Sequence, residues 1–266
     1  MKRFVISSPP GPEGMIRLCE NDYHYLVNVR RLKAGMCFDA LLPGGAETQV
    51  RILSTADRIL IGECFGGIQK QPGALPTIAL FQGLPKGAKM DIIVRQAAEG
   101  GLSLVVPFES QYSAAKLKDY GEKQKRWERI VKEARQQSGS ATETSIMPTC
   151  GFKALLEYWE SLKKKYLRPL AILFHQEPLE KGTFHDYLGM EPDFVALAVG
   201  PEGGFSPAEV SLFLAAGWKP LLMGNTVLRT ETAAVYGTAA IRIILLEKKS
   251  WTPSLKESNS STFPST

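Results

Sequence analysis

Histidine and cysteine are scarce, with three of one and four of the other in 266 residues. The cysteines, Cys19, Cys37, Cys64 and Cys150, are scattered, with no C-x-x-C pair and no histidine cluster beside them. That pattern argues against a structural zinc site and against a disulfide framework, and no metal is expected; a reducing, cytoplasmic setting is. No early strand is followed by G-x-G-x-x-G and a later acid, and there is no P-loop. A Rossmann-type methyltransferase and a nucleotide triphosphate site are therefore disfavoured. After Met1, Lys2-Arg3 leads only to Phe4-Val5-Ile6 before Ser7-Ser8-Pro9-Pro10, too short an apolar core for a secretory signal. The apolar stretch Ala233 to Leu246 also falls short of the roughly 20 residues that a membrane span takes.

What is present is an ordinary globular composition, 44% hydrophobic and 22% charged, long enough for one large or two modest domains. The net charge of +5 permits a nucleic-acid partner without demanding one.

Residues 1 to 73 read as a small β-rich domain. Short runs such as Phe38–Leu42, Gln49–Leu53 and Ile59–Gly62 are separated by Gly, Pro and Asp turn signals, and Asp22 to Leu32 is the lone helical pattern. Gln69 to Pro76, centred on Pro72-Gly73, reads as a linker. From residue 74 to 248 the texture changes. Apolar runs Ile78–Phe81, Leu102–Val106, Leu170–Phe174 and Phe194–Val199 alternate with helical patterns Lys89–Glu99, Lys116–Ser138, Phe152–Leu162 and Pro207–Ala216. That alternation predicts an α/β domain with a largely parallel sheet. Residues 249 to 266, rich in Ser and Thr, predict a disordered tail.

Two glycine-punctuated loops stand out. Gly200-Pro201-Glu202-Gly203-Gly204-Phe205-Ser206 follows the apolar run Phe194–Val199, and Ser206-Pro207-x-Glu209 predicts a capped helix that ends at Gly217. Gly203 and Gly204 would let backbone amides approach a ligand; the alternative is a turn that merely needs glycine. The second loop, Met223-Gly224-Asn225-Thr226-Val227-Leu228, leads into Arg229-Thr230-Glu231-Thr232, with Thr230 as a candidate N-cap. Loops of this kind at strand ends build small-molecule sites. The helix that follows, apolar or small except at Tyr236, Thr238 and Arg242, reads as a central or subunit-interface helix.

The paired G-P-E-G-G-F-S and L-R-T-E-T-A segments, in this order and at this spacing, resemble the RsmE family of ribosomal RNA methyltransferases. The resemblance extends more weakly from Arg3-Phe4 to about Lys248. It implies a SPOUT-type α/β domain whose C-terminal chain passes through a trefoil knot, behind a small PUA-like β-barrel. It implies S-adenosylmethionine as methyl donor, held by Phe174, His175, Val199, Gly200, Pro201, Glu202, Gly203, Gly204, Met223, Gly224, Asn225, Val227 and Leu228. It implies transfer to N3 of a uridine in small-subunit 16S rRNA, free or in the assembled subunit, by a homodimer. Arg30, Arg31 and Lys33 fall in a segment that matches the RNA-binding barrel, and Arg3, Lys86 and Lys89 are placed with them.

Uracil N3 is weakly acidic, so a donor near its carbonyl oxygens and an acceptor for its proton would both help. Arg229 and Glu231 supply those two residue types; the alternative is a salt bridge that holds the loop. His175 reads equally as a capping histidine. The stripe Lys116–Arg135, with eight Lys and Arg against four acids, could track RNA or be a solvated helix face. Several family positions differ: Gln96 stands for a usual Lys, Gly100 for a Leu, Gln136 for a Glu and Ser140 for an Arg, and the Ser140–Thr144 stretch is longer. Donor binding is thus better supported than the RNA target. The competing expectations are another RNA base or a ribose as acceptor, and an inactive RNA-binding assembly factor.

Overall fold

The computed structural model describes residues 3–69, 75–114 and 121–250. Most of the linker, the first residues of the basic stripe and the tail beyond 250 lie outside the described residues.

The N-terminal part is a five-stranded sheet. Its strands are β1 (Phe4–Val5), β2 (Met15–Leu18), β3 (Cys37–Leu41), β4 (Glu47–Ser54) and β5 (Leu60–Gln69), in the order β1-β3-β4-β5-β2. All neighbours are antiparallel except β1 and β3, which are parallel. Alternation along β4 puts Thr48, Val50 and Ile52 inside and their neighbours outside. Val50 and Ile52 join Phe4, Phe38 and Leu60 in one core. The expected helix is present as a short turn, α1 (Glu20–Tyr23), that runs on as a π-helical segment, His24–Val29. Arg31, at φ +56°, ends it in a left-handed turn.

The rest of the chain is a seven-stranded sheet. It comprises β6 (Thr77–Gly83), β7 (Leu104–Glu109), β8 (Ser145–Ile146), β9 (Cys150–Gly151), β10 (Pro169–Phe174), β11 (Phe194–Val199) and β12 (Lys219–Leu221). The order is β12-β10-β11-β6-β7-β8, β9 also pairs with β7, and every pairing is parallel. The central strands are buried on both faces, as their unbroken apolar runs require. On one face Ile78, Leu80 and Leu197 pack under α2 (Lys89–Glu99), α3 (Gly121–Ser138), α5 (Phe184–Leu188) and α7 (Thr230–Ser250). On the other, Ala79, Phe81 and Ala196 meet α4 (Phe152–Lys165) and α6 (Pro207–Ala215). The expected α/β class with a parallel sheet behind a β-rich N-terminal part is what the chain forms.

α6 starts as its sequence prescribes. The Ser206 hydroxyl accepts from the Glu209 amide at 3.3 Å, and the Glu209 carboxylate accepts from the Ser206 amide at 2.9 Å. It stops where Gly217 takes φ +87°. Thr230, by contrast, is not an N-cap. α7 already includes it, and its hydroxyl donates to the Gly200 carbonyl at 2.6 Å. Nor is α7 buried all round: Tyr236 and Ile243 are 59% and 54% exposed.

α3 braces the two sheets. Its apolar face, Trp127, Ile130, Val131 and Ala134, is buried, and Arg126 pairs with Asp91 of α2 at 2.7 Å. Lys132 pairs with Asp22 at 3.2 Å, and Gln136 accepts from the Val5 amide. The longer stretch after Ser140 also touches the N-terminal sheet: a Cβ on Gly45 would sit 2.7 Å from the Ala141 carbonyl oxygen. Gln136 and the stretch after Ser140 therefore serve the joint between the N-terminal part and the parallel sheet.

Candidate functional site

β6, β10 and β11 end side by side, and the two glycine loops leave the sheet at that edge. One buried side chain ties the first loop to the end of β6 and to the start of α7. Gln82, which follows the apolar run Ile78–Phe81 in β6, is fully buried, and its amide donates to the Gly83 carbonyl at 2.8 Å and to Thr230 Oγ1 at 2.9 Å. A longer contact, 3.4 Å, reaches the Val199 carbonyl. The Thr230 hydroxyl in turn donates to the Gly200 carbonyl. Strand end, first loop and the start of α7 are thus one hydrogen-bonded unit.

Between the loops lies a cavity of about 870 Å³. Of the thirteen residues expected to hold a ligand, twelve line it: Phe174, His175, Val199, Gly200, Pro201, Glu202, Gly204, Met223, Gly224, Asn225, Val227 and Leu228. Arg229, Thr230 and Lys89 complete the wall, with Gln176, Pro178, Phe205, Leu222, Thr226 and Ala233, which the sequence had not singled out. Gly204 (φ +70°) and Gly224 (φ +125°) have open space where a Cβ would stand, so bare backbone faces the void.

Gly203 is the exception. A Cβ there would lie 2.8 Å from Cβ of Tyr112, so its lack of a side chain serves the neighbouring 110–113 turn and not the cavity. That turn is pinned by Glu209, which is buried and accepts from the Gln111 amide at 2.8 Å and the Ser110 hydroxyl at 3.2 Å. Gly200 is needed for the loop to fold on itself, since its Cβ would meet the Gly204 backbone at 3.0 Å.

The charges at the cavity do not pair as an Arg229–Glu231 bridge. Glu231, which is not among the residues lining the cavity, instead faces Lys89, whose Nζ is 3.5 Å from Glu231 Oε2 and 2.7 Å from Glu202 Oε1. Glu202 also accepts from the Lys86 amide, at 3.1 and 3.3 Å. Burial alone would raise the Glu202 carboxyl, but hydrogen bonds from Lys89 and backbone amides outweigh it and hold the group below its usual range. Lys89 is held above its usual range, first by the Glu202 hydrogen bond, against a desolvation that opposes it. His175 Nδ1 accepts from the Glu177 amide at 3.1 Å, the capping role, while the ring stands in the cavity wall.

The basic residues proposed for RNA are dispersed. Arg3 pairs with Glu47 at 3.0 Å. Arg31 and Lys33 are exposed beyond the π-helical segment, with Arg30 half-buried. Lys86 is exposed and Lys89 belongs to the cavity. Along α3, Lys125, Arg126, Arg129 and Lys132 each have a carboxylate partner within the chain, which favours the solvated, bracing face over a free phosphate track. Among the described residues no group of His, Cys, Asp and Glu could hold a metal ion, and no helix is long and apolar enough to cross a membrane.

Residues 73–242 match the family model described as the RNA methyltransferase domain. The chain is 29% identical over 230 residues to the Bacillus subtilis ribosomal RNA small subunit methyltransferase E, covering 83% of this chain and 86% of the relative. It is 29% identical over 245 residues to the Synechocystis protein of the same name, covering 91% and 78%. A crystal structure of the Neisseria gonorrhoeae methyltransferase E bound to S-adenosyl methionine superposes with a TM-score of 0.75 at 22% identity, over 92% of this chain and 98% of that one.

Proposed function

The chain belongs to the RsmE family of RNA methyltransferases, and from that premise we propose that it transfers a methyl group from S-adenosylmethionine to N3 of a uridine in small-subunit 16S rRNA. The observation that carries the proposal is the cavity between the two loops. Its volume suits a ligand of that size, and its walls combine Phe174, Val199 and Leu228 with bare backbone at Gly204 and Gly224 and with the charged groups of Glu202, Lys89 and Arg229. Three backbone segments, 174–178, 199–205 and 222–228, would hold the donor. We read residues 1–73 as the PUA-like RNA-binding part and 74–248 as the methyltransferase part, knotted as the resemblance implies.

When bound, the donor supplies an electrophilic methyl on a sulfonium, so the chain's own residues have to align the acceptor and manage one proton. Glu231, at the start of α7 next to the lining residue Thr230 and within reach of Lys89, is the residue we assign to take the N3 proton. Arg229, two residues earlier and in the wall, is the residue we assign to donate to the uracil oxygen on which negative charge gathers.

The partner surface of a homodimer is the open face of α7. Thr232 and Ala239 continue the stripe that Tyr236 and Ile243 form on the helix surface. The exposed Arg31 and Lys33 contribute to holding RNA.

The test is to incubate the protein with labelled donor and either 16S rRNA or assembled small subunits that lack the modification, then to locate the methyl by nucleoside mass spectrometry. 3-Methyluridine at a single site is expected. A methyl on another base or a ribose would overturn the acceptor, and absence of donor binding in calorimetry would leave an RNA-binding assembly factor.

A further inference from the structure

Lys89, in the cavity wall, is shared by two carboxylates, Glu202 of the wall and Glu231 behind it at the start of α7. It sits at the first position of α2, where the helix dipole disfavours positive charge, so its placement does nothing for α2. Its Nζ is 2.7 Å from Glu202 on the first loop and 3.5 Å from Glu231 on α7. Glu202 is itself clamped by the Lys86 amide, which fixes one end of the arrangement. At the other end, Glu231 Oε2 is fully buried and accepts no hydrogen bond among the described residues. A buried carboxylate oxygen in that state needs a nearby positive charge, and Lys89 provides it. Because Oε2 has no access, only the other oxygen of Glu231 is left to meet a ligand.

We propose that Lys89 is a positioning residue for Glu231, and not an RNA phosphate contact: its ammonium bridges Glu202 and Glu231 and fixes the orientation in which Glu231 presents its free oxygen to the acceptor. The proposal rests on the reading that Glu231 acts on the acceptor base. Recruiting Lys89 to a phosphate would strip the buried Oε2 of Glu231 of its counter-charge, which is costly. Methyl transfer forms the N3–C bond and breaks the S–C bond, with the electron pair staying on sulfur. The N3 proton passes to the free Glu231 oxygen, and Lys89 keeps its own protons throughout.

The experiment compares wild type, Lys89→Met, Lys89→Arg, Glu231→Gln and the Lys89→Met/Glu231→Gln double variant. Each is followed by single-turnover methylation of unmodified small subunits and by calorimetric donor binding; Lys89→Gln replaces Lys89→Met if the latter does not fold. Lys89→Met should slow transfer by roughly 10- to 100-fold with donor affinity within about 3-fold of wild type. Lys89→Arg should recover most of the rate. On the Glu231→Gln background Lys89→Met should cost less than about 3-fold more, because the two act as a unit. Fully multiplicative losses would overturn the proposal, as would a parallel fall in donor affinity and rate that arginine does not repair. A wild-type rate in Glu231→Gln would instead strike down the reading of Glu231, and this proposal with it; slow Glu231→Gln with an unaffected Lys89→Met would sink Lys89 alone.

Discussion

The side-chain carbonyl of Gln136 in α3 accepts a hydrogen bond from the backbone N–H of Val5 in β1 at 2.8 Å, across 131 positions of sequence. An amide does here what a carboxylate could do, without a charge at the joint between the two sheets. Gln136→Leu would leave the N–H of the buried Val5 without its acceptor, at a cost of about 1–3 kcal/mol. Gln136→Glu keeps an acceptor and should lose much less. Urea unfolding of the three proteins checks this, and a leucine variant as stable as wild type would show that water replaces Gln136.

Gly237 of α7 is where the helix crosses the sheet beneath the cavity. A Cβ there would land 2.4 Å from the Phe174 ring and 2.7 Å from Leu197 Cδ2. Gly237→Ala should cost about 1–3 kcal/mol by overpacking, despite alanine's better helix propensity. Since Phe174 lines the cavity, donor affinity should fall as well. Thermal melting and calorimetry on one sample read both effects, and a stabilised variant with normal affinity would mean the ring has room to move.

Ile243 is 54% exposed, on the same open stripe of α7 as Tyr236. Ile243→Lys should therefore fold normally as a single chain and lose self-association, because the charge would be buried only in the dimer. Light scattering at micromolar concentration should report a dimer for wild type and a monomer for the variant. Loss of the fold in Ile243→Lys would contradict the exposed placement of the side chain.

The Glu202–Lys89 pair has a defined pH window. The Glu202 carboxyl is held below its usual 4.5, so what it contributes is present above that value and is lost as pH falls through the lowered pKa. The Lys89 ammonium is held above its usual 10.5, so its contribution is present below that value and is lost as pH rises through the raised pKa. The melting-temperature difference between wild type and Glu202→Gln should stay level from roughly pH 5.5 to 9 and shrink below about 4. A difference undiminished in acid would mean the carboxylate is not what stabilises the loop.

How much of this was legible in the sequence depends on how local the cause is. The capping box at Ser206 and Glu209, the stop at Gly217 and the two loops at strand ends are written in neighbouring residues, and they stand as read. The facing of Gly203 toward Tyr112 is not, because which way a glycine's missing side chain points is settled by packing from residues 90 positions away. Thr230 reads as a cap for the same reason: nothing local reveals that Gly200 and Gln82 already claim its hydroxyl. Lys89 carries the signature of a surface cation until its two carboxylates, 113 and 142 positions later, are placed beside it. Gln82 did leave a trace, a glutamine closing the run Thr77-Ile78-Ala79-Leu80-Phe81, and a polar residue there asks for a partner.

The relay from Gln82 through Thr230 to Gly200 also dates the cavity in the life of the chain. Its members are separated by 148 and 30 positions, so no fragment that ends before α7 contains the unit. During synthesis the sheet can pair while the chain is still growing, yet the last wall arrives only when residue 230 and the helix behind it have emerged and docked. Ligand affinity is then a property of the finished chain alone, and a bound ligand stabilises that state over every unfinished one. A chain truncated before α7 lacks Thr230 and with it the hydrogen bonds that join the end of β6 to the first loop.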